Sequence, residues 1–307
     1  MVTKVDAIFE GGGVRGIGFV GAICALEENN YQWQKLAGTS AGSIIAALLA
    51  VGYTGKELNS IISSIDYSRF LDKIGIQKIP LLGKPLGLFI KKGMYQGDYV
   101  EQWISGLMKA KGKTKFKDVM VNGESRLKII ASDVTKREIL ILPDDLPRYG
   151  IDPMEFEIAK AVRMSISIPL YFNPIKLENK EAISYIVDGG ILSNFPVWIF
   201  DVNKTPRWPT LGFKLVDPGV SYSSRGKTDL LSFMLDIVET MIDEDDLIYM
   251  KNKDSIRTVS IPTLGVKATE FDISKENSQK LYESGYEGAK KFLEKWNFQD
   301  YIKKYRI

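Results

Sequence analysis

The chain of 307 residues contains no histidine and a single cysteine, Cys24. One cysteine cannot form an intramolecular disulfide, and it cannot build a cysteine-rich zinc site. Without histidine, a metal ion would have to be bound by carboxylates, and the sequence has no EF-hand spacing of acidic residues. We therefore expect no bound metal ion. Any serine nucleophile in this chain must use a base other than imidazole.

The sequence also lacks a strong net charge and a long apolar run. The net charge is +3, and no basic run interleaved with aromatic residues indicates a nucleic-acid partner. No stretch of about 20 apolar residues predicts a membrane span, and the first residues lack the apolar core and cleavage site of a signal peptide. The composition, 45% hydrophobic and 26% charged, is typical of a globular protein. We therefore expect a soluble, cytoplasmic protein.

Short apolar runs alternate with helical patterns along the chain. We predict strands at residues 5–9, 33–38, 126–134, 137–143, 184–190, 210–216 and 256–262. The third and fourth of these are expected to form a hairpin. We predict helices at 43–51 and 229–250, and a last helix from Ser274 with one face formed by Leu281, Gly285, Ala289, Phe292 and Trp296. This alternation predicts an α/β fold, a three-layer α/β/α sandwich with a largely parallel central sheet. We expect one domain over residues 1–307, because no repeat or low-complexity linker divides the chain.

One short stretch carries a candidate nucleophile. Gly38-Thr39-Ser40-Ala41-Gly42 reads G-x-S-x-G, follows a predicted strand and precedes an apolar helix. At this spacing a serine occupies a strained strand-to-helix turn, and the two glycines keep side chains away from the adjoining strand and helix. The helix N-terminus also favours negative charge near the serine oxygen. The alternative is an ordinary serine in a tight turn between a strand and a helix.

A glycine loop at residues 11–16 follows the first predicted strand and admits two interpretations. Gly11, Gly13 and Gly16 match the dinucleotide fingerprint G-x-G-x-x-G, which requires an acidic residue about 20 positions later. The second predicted strand ends without such a residue. The other interpretation is an oxyanion hole, in which Gly11, Gly12 and Gly13 present backbone N–H groups and Arg15 adds positive charge.

Asp188 is the candidate base. The sequence SYIVDGGILSNFPV places it at the end of an apolar strand, and Gly189 and Gly190 leave its carboxylate uncovered. If that strand is parallel to the others, Asp188 lies at the same edge of the sheet as Ser40. Burial would raise the pKa of the carboxyl group above its usual value near 3.9 and make it a better base. The alternative is a turn-forming Asp-Gly pair. Asp133, the other aspartate at a strand end, is expected to serve the hairpin turn.

Three motifs in this order resemble those of the patatin-like phospholipase family: G-G-G-x-R-G at 11–16, G-T-S-A-G at 38–42 and D-G-G at 188–190. The segments 93–98 and 161–175 also resemble parts of that family. The likeness spans about residues 5–215, and residues 216–307 match loosely and are expected to complete the fold.

The resemblance implies a lipid acyl hydrolase with a Ser-Asp dyad, which would account for the missing histidine. Ser40 would be the nucleophile, Asp188 the base, and Gly12, Gly13 and Arg15 part of the oxyanion loop. Ser40 would attack a fatty-acyl ester of a phospholipid or lysophospholipid, and water would then release the fatty acid from the acyl-enzyme. No cofactor or metal is required by this chemistry.

Two segments bear on how a lipid would be bound. The sequence departs from the family near Met164 and Ile166, where alanine or cysteine is common, so a differently shaped acyl pocket is expected. Residues 73–97 contain five lysines, no acidic residue and many large apolar side chains. This composition predicts either a cover that makes peripheral contact with a membrane surface or an ordinary loop packed over the acyl pocket.

Two other functions stay open at the level of sequence. One is a dinucleotide-binding oxidoreductase that uses the glycine loop at 11–16, which would not react with fluorophosphonate probes. The other is a catalytically silent lipid-binding protein that keeps the fold. Labelling of Ser40 by a fluorophosphonate would exclude both.

Overall fold

The computed structural model describes residues 2–71, 92–178, 183–217, 230–242 and 252–305. The strands of this part of the chain are β1 (Thr3–Phe9), β2 (Tyr31–Thr39), β3 (Gly93–Tyr95), β4 (Met120–Val121), β5 (Glu124–Ser125), β6 (Leu127–Asp133), β7 (Glu138–Leu142), β8 (Leu170–Phe172), β9 (Ile175–Glu178), β10 (Ile183–Asp188), β11 (Thr210–Val216) and β12 (Thr258–Pro262). The helices are α1 (Ile17–Glu28), α2 (Ala41–Val51), α3 (Gly55–Ser64), α4 (Asp98–Ala110), α5 (Ile158–Ser165), α6 (Leu230–Ile242), α7 (Asn252–Ser255), α8 (Lys275–Lys295) and α9 (Phe298–Tyr305).

The main sheet of the described chain has eight strands in the order β12-β11-β1-β2-β6-β10-β9, and β7 also pairs with β6. All neighbouring strands from β12 to β6 are parallel. Strands β7 and β10 are antiparallel to β6, and β9 is antiparallel to β10. The expected α/β fold with helices packed on a largely parallel central sheet is therefore confirmed.

Strands β2 and β10 meet end to end along one edge of β6. Thr39, the last residue of β2, pairs with Ile130, and Asp188, the last residue of β10, pairs with Ala131. Strand β7 pairs with residues 129–133 and so occupies the other edge of β6. The prediction that Asp188 ends a parallel strand is wrong. Because β6 extends beyond the end of β2, it pairs there with β10, which arrives from the opposite direction and brings its carboxyl end to the same point.

The core lies between the sheet and the apolar helices α1 and α2. Every residue of α2 from Ile45 to Val51 is buried, and Gly52, with a φ of 107°, ends the helix in the left-handed conformation. Neighbouring residues of β1 point to opposite faces of the sheet. Phe9 packs in the main core, whereas Ile8 packs against Phe195 and Val197 on the other face. The helix predicted at 43–51 is thus confirmed, and within that range only Ile44 is partly exposed.

The C-terminal elements extend and cover the sheet. Strand β12 adds to β11, and α8 packs on both α1 and β12. Ser274 caps α8 by accepting a hydrogen bond from the N–H of Asn277. A Cβ atom on Gly285 of α8 would lie 1.8 Å from the carbonyl oxygen of Gly18 in α1, so the two helices cross in direct backbone contact. The predicted start of the last helix is confirmed, and Leu281, Gly285 and Ala289 of its predicted face are buried. Phe292 is partly buried, and Trp296 follows the last residue of α8.

Two predicted segments fall partly outside the described residues. The helix predicted at 229–250 is described as α6, and residues 243–250 lie outside. Of the basic apolar segment 73–97, residues 73–91 lie outside, and Gly93–Tyr95 forms β3, which pairs with β8. The hairpin predicted at 126–143 is present as β6 and β7. None of the helices in the described ranges has the length and apolar character needed to cross a membrane.

Candidate active site

Ser40 occupies the turn between β2 and α2. Its φ of 50° and ψ of −126° lie in a region that costs a non-glycine residue on the order of 1–3 kcal/mol. The N–H of Ser40 donates to Oγ of Ser165 at 2.9 Å, and Oγ of Ser43 donates to the carbonyl oxygen of Ser40 at 2.6 Å. These bonds hold the strained turn at the N-terminus of α2, where the helix dipole favours negative charge. This is the geometry expected of a serine nucleophile in G-x-S-x-G.

The glycines of the serine turn lie in close backbone contacts. A Cβ atom on Gly38 would lie 2.2 Å from the carbonyl oxygen of Gly42, and one on Gly42 would lie 2.3 Å from the carbonyl oxygen of Phe9. A Cβ on Gly16 would lie 3.2 Å from that of Ala41, the first residue of α2. The serine turn therefore packs directly against the end of β1 and the loop that follows it.

Asp188 is fully buried at the end of β10. Its Oδ1 accepts a hydrogen bond from the N–H of Gly190 at 2.8 Å, and its own N–H donates to the carbonyl oxygen of Ser167 at 2.9 Å. Gly189 lies so close to β6 that a Cβ there would be 2.4 Å from the carbonyl oxygen of Ile130. The two glycines of D-G-G thus hold the carboxylate in place, one by donating to it and one by admitting a neighbouring carbonyl group.

The carboxyl group of Asp188 has a strongly raised pKa. Burial raises the pKa from 3.8 to about 7, against the opposing effects of hydrogen bonds from the Ser40 side chain and the Gly190 N–H. Oδ2 of Asp188 has no partner at regular hydrogen-bond geometry among the described residues, so the contact with the Ser40 hydroxyl is loose. Catalytic hydrogen bonds are often long until substrate is bound. The structure brings Ser40 and Asp188 together and gives the carboxylate a basicity suited to neutral pH.

In the glycine loop, hydrogen bonds from Arg15 and Asn194 hold the carbonyl groups of Gly12 and Gly11 on the same side. The carbonyl oxygen of Gly12 accepts hydrogen bonds from Nε and the backbone N–H of Arg15, both at 3.2 Å. The carbonyl oxygen of Gly11 accepts a hydrogen bond from Nδ2 of Asn194 at 3.5 Å. In a trans peptide the N–H points away from the C=O, so the N–H groups of Gly12 and Gly13 point to the opposite side. Neither has an acceptor in the part of the chain that is described, so both can donate to an oxyanion.

The glycine loop also touches the nucleophile. A Cβ on Gly11 would lie 3.1 Å from Cβ of Ser40. Gly13 has a φ of 55°, and a Cβ there would lie 1.9 Å from the carbonyl oxygen of Ala268, so only glycine fits at this position. The loop therefore packs between the serine turn and the segment that follows β12.

A buried ion pair anchors the start of the glycine loop. Glu10, the residue before Gly11, accepts hydrogen bonds from Nζ of Lys214 at 2.8 Å and from the N–H of Leu215 at 2.6 Å. Glu10 and Lys214 are 4% and 2% exposed. Burial raises the pKa of Glu10, and Lys214 opposes that rise. A Cβ on Gly12 would lie 2.2 Å from Cδ1 of Leu215. Strand β11 thus fixes the loop at the point where β1 ends.

Arg15 contacts the glycine loop, whereas Asp133 lies at the turn of the hairpin formed by β6 and β7. Arg15 is buried, holds the Gly12 carbonyl group and places Nη1 3.7 Å from Oδ2 of Asp217. It therefore acts on the glycine loop through the backbone. Asp133 serves the hairpin, as predicted: its Oδ1 accepts hydrogen bonds from the N–H groups of Thr135 and Lys136 at 2.9 and 3.0 Å.

Sequence reasoning did not single out Ser165, Ser193 or Asn194. The carbonyl oxygen of Ser193 accepts a hydrogen bond from Oγ1 of Thr39 at 3.1 Å, and the carbonyl oxygen of Asn194 accepts one from the N–H of Gly11 at 3.2 Å. These two residues tie the turn after Asp188 to both other motifs. In the sequence, Ser193 and Asn194 are marked only by their place in the stretch that begins with D-G-G. Ser165 is marked only by its place in the segment 161–175, which resembles the family.

An apolar cluster adjoins the turn that follows Asp188. Buried Ile168 and Phe172 pack with Ile191, with Val238 of α6 and with Phe271. Over the described ranges, no group of three or more acidic or cysteine side chains is arranged to hold a metal ion. The site therefore combines a strained serine, a buried carboxyl group, available N–H donors and an apolar surface, which together suit acyl transfer from an apolar ester.

Comparison with known proteins gives a family match, one relative that matches over nearly its full length and one that matches over part of its length. The family model described as "Patatin-like phospholipase" matches residues 7–201. The chain is 37% identical over 295 residues to the uncharacterized protein YqhO of Bacillus subtilis. The matched region covers 96% of this chain and 99% of YqhO. It is 28% identical over 193 residues to the probable lipid hydrolase 463L of Invertebrate iridescent virus 6, which covers 62% of this chain and 61% of that protein.

A solved structure shares the fold. VipD from Legionella pneumophila superimposes with a TM-score of 0.55 at 18% sequence identity, over 94% of this chain and 66% of VipD. The chain thus spans nearly all of YqhO but just under two thirds of VipD and of 463L.

Proposed function

Because the chain belongs to the patatin-like phospholipase family, we propose that it is a lipid acyl hydrolase with Ser40 as nucleophile and Asp188 as base. Its substrates would be fatty-acyl esters of phospholipids or lysophospholipids. The observation that carries the proposal is the buried carboxyl group of Asp188 beside the Ser40 hydroxyl, with a pKa of about 7. Such a group can accept a proton at neutral pH, which a solvated aspartate does poorly.

The reaction would proceed through an acyl-enzyme. Asp188 accepts the hydroxyl proton as Oγ of Ser40 forms a bond to the ester carbonyl carbon, and the N–H groups of Gly12 and Gly13 bind the resulting oxyanion. Each such donor contributes roughly 3 kcal/mol to the stability of the transition state. The oxyanion collapses, and the leaving alcohol takes the proton from Asp188. A water molecule then attacks the acyl group and gives a proton to Asp188; as the bond from the acyl carbon to Oγ of Ser40 breaks, Asp188 returns that proton to Oγ, and the fatty acid is released.

We also propose that the protein takes its substrate from a lipid surface. Of the segment predicted for this contact, residues 73–91 lie outside the described chain, but α6 supports the proposal independently. Phe233, Met234, Ile237 and Met241 of α6 are 42–60% exposed. An exposed apolar face of this kind is common where a protein meets a lipid surface. Val238 of the same helix packs near the turn that follows Asp188, so the exposed face adjoins the site.

Fluorophosphonate labelling and fatty-acid release test the dyad directly. The wild-type protein is expected to be labelled and to release fatty acid from phosphatidylcholine and lysophosphatidylcholine. Ser40→Ala should lose both, and Asp188→Asn should lower the rate of release by about a thousandfold or more, as loss of a catalytic base does. Asp133→Asn is the matched control, because Asp133 is an equally buried aspartate on the neighbouring strand β6. It should keep its activity.

Each contrary outcome has a distinct meaning. A folded wild-type protein that is neither labelled nor active on either lipid would contradict the proposal and favour a silent lipid-binding protein. Binding of a nicotinamide dinucleotide without labelling would favour the oxidoreductase. Equal losses in the Asp188→Asn and Asp133→Asn variants would show that Asp188 has no special role.

A further inference from the structure

We infer that the hydroxyl group of Ser165 is a positioning group for the nucleophile: it holds the backbone N–H of Ser40 and fixes the Ser40 turn relative to Asp188 through the carbonyl group of Ile130. The inference rests on the proposed function, because it assigns a further residue to the same reaction.

The hydrogen bonds of Ser165 have a fixed direction. Ser165 is the last residue of α5 and is fully buried. Its Oγ donates to the carbonyl oxygen of Ile130 at 2.5 Å and accepts from the N–H of Ser40 at 2.9 Å. A hydroxyl group has one hydrogen. Because Ile130 takes that hydrogen, a lone pair of Ser165 is left to face Ser40.

This contact supports a strained backbone. Ser40 stands at the N-cap of α2, where its N–H has no helical partner, and it holds a φ of 50°. Without Ser165 the buried N–H would have no acceptor among the residues that the structure describes. The backbone of Ser40 could then relax toward a common conformation, which would turn its Cβ and Oγ away from Asp188. A displacement of about 1 Å in such a group can lower a rate by roughly a hundredfold.

The carbonyl group of Ile130 contacts both the turn after Asp188 and the side chain of Ser165. It lies 2.4 Å from the position that a Cβ on Gly189 would occupy, so the turn after Asp188 packs on it. The same carbonyl group holds Ser165, which holds Ser40. One peptide group of β6 therefore sets the positions of nucleophile and base relative to each other, and Ser165 is the link on the nucleophile's side.

Ser165→Ala, compared with Ser125→Ala, tests the inference. Ser125 is 5% exposed and lies beside Leu127, at the end of β6 remote from Asp188. Its Oγ donates to the carbonyl oxygen of Leu127 at 2.9 Å and accepts from the N–H of Leu127 at 3.2 Å. Each alanine variant therefore removes one donated and one accepted backbone hydrogen bond from a buried site, and similar falls in thermal stability are expected.

The kinetics should separate the two variants. With p-nitrophenyl butyrate, Ser165→Ala is expected to lower kcat by at least about tenfold with KM within about twofold, and to slow fluorophosphonate labelling to the same extent. Ser125→Ala should change neither. Ser165→Thr keeps the hydroxyl group and should recover most of kcat. A kcat for Ser165→Ala within twofold of wild type, or an equal loss in Ser125→Ala, overturns the inference.

Two further measurements cover the remaining outcomes. If Ser165→Ala does not fold, Ser165→Cys keeps a side chain of similar size but bonds weakly, and its kcat should also fall; an unchanged kcat overturns the inference. An inactive wild-type protein would instead contradict the proposed function. In that case hydrogen exchange at the Ser40 amide still tests the contact between Ser165 and Ser40. Slow exchange in wild type with fast exchange in Ser165→Ala or Ser165→Cys supports the contact, and equal rates reject it.

Discussion

Thr39 and Asp188 lie opposite successive residues of β6, at the point where two oppositely directed strands end. Ser40 follows Thr39 directly, so this meeting of strand ends sets its hydroxyl group beside the carboxyl group of Asp188. Regular strand pairing, and not a long loop, thus positions the two groups of the proposed dyad. The same pairing buries the carboxyl group completely. Because burial raises its pKa, both activity and stability should depend on pH.

Ester hydrolysis is expected to depend on one group with a pKa of about 7. Only ionised Asp188 can accept the Ser40 proton, and burial raises the pKa of its carboxyl group to about 7. For p-nitrophenyl butyrate, kcat/KM should fall about tenfold per pH unit below that pKa and level off above it. A profile between about pH 5 and pH 9 checks this. A rate that is constant across that range would mean that Asp188 does not titrate as the base.

Asp188→Asn is expected to stabilise the protein at high pH although it strongly lowers activity. The folded state binds the proton more tightly than the unfolded state, so the stabilising contribution of the carboxyl group is complete below 3.8 and is lost as pH rises through about 7. Above that range wild type carries a buried charge that the variant lacks. The difference in free energy of unfolding should approach, at most, about 4 kcal/mol.

Thermal unfolding of both proteins at about pH 8 and pH 5 measures this difference. The variant should unfold at a clearly higher temperature at the higher pH, and the gap should shrink at the lower pH. An equal difference in unfolding temperature at both pH values would contradict the raised pKa of Asp188, because that difference would arise from packing and not from a titrating carboxyl group.

Local patterns in the sequence predicted seven of the twelve described strands and the helix α2, because alternation, apolar runs and glycine positions act over a few residues; β9 and the short strands β3, β4, β5 and β8 were not predicted. The direction of β10 could not be predicted. An apolar run such as that before Asp188 reads the same in a parallel and an antiparallel strand, and the direction depends on how far β6 extends beyond the end of β2.

The proposed role of Ser165 could not be predicted from the sequence either. A serine in a helix is usually a neutral feature, and what matters here is a contact with Ser40, 125 residues earlier in the chain. The pairing of Glu10 with Lys214 spans 204 residues and has the same character. Motif residues could therefore be proposed from spacing, whereas the groups that hold them depend on tertiary contacts that spacing does not show.

Glu10→Gln is expected to destabilise the protein strongly and to lower kcat. It leaves the ammonium group of Lys214 buried without its carboxylate, which costs on the order of 3–5 kcal/mol. The pair anchors the glycine loop, so the N–H groups of Gly12 and Gly13, the proposed oxyanion donors, should also be displaced. The double variant Glu10→Gln with Lys214→Met removes the buried charge and should recover most of the stability.

Chemical denaturation and the kcat for p-nitrophenyl butyrate measure these effects. Glu276→Gln is the control, because Glu276 and Lys280 form an exposed pair on α8, and its loss should hardly change stability. A Glu10→Gln variant as stable as Glu276→Gln, or a double variant less stable than Glu10→Gln alone, would show that the buried pair does not anchor the loop.

The exposed apolar face of α6 should matter for substrate held in vesicles and not for soluble substrate. Burial of a Phe or Ile side chain contributes roughly 1.5–3 kcal/mol. Phe233→Ser with Ile237→Ser should therefore weaken binding to phosphatidylcholine vesicles by about a hundredfold or more. Hydrolysis of lipid in those vesicles should fall in proportion, while hydrolysis of p-nitrophenyl butyrate stays near the wild-type rate.

Val121→Ser is the matched control for α6. Val121 is 51% exposed on β4, which precedes the start of β6 at the end of the sheet remote from Asp188. Sedimentation with vesicles should give the same bound fraction for this variant as for wild type. If the α6 variant also binds like wild type, α6 does not contact the lipid surface. If it loses activity on the soluble ester as well, the two side chains support the fold of the site, and the proposed lipid contact fails.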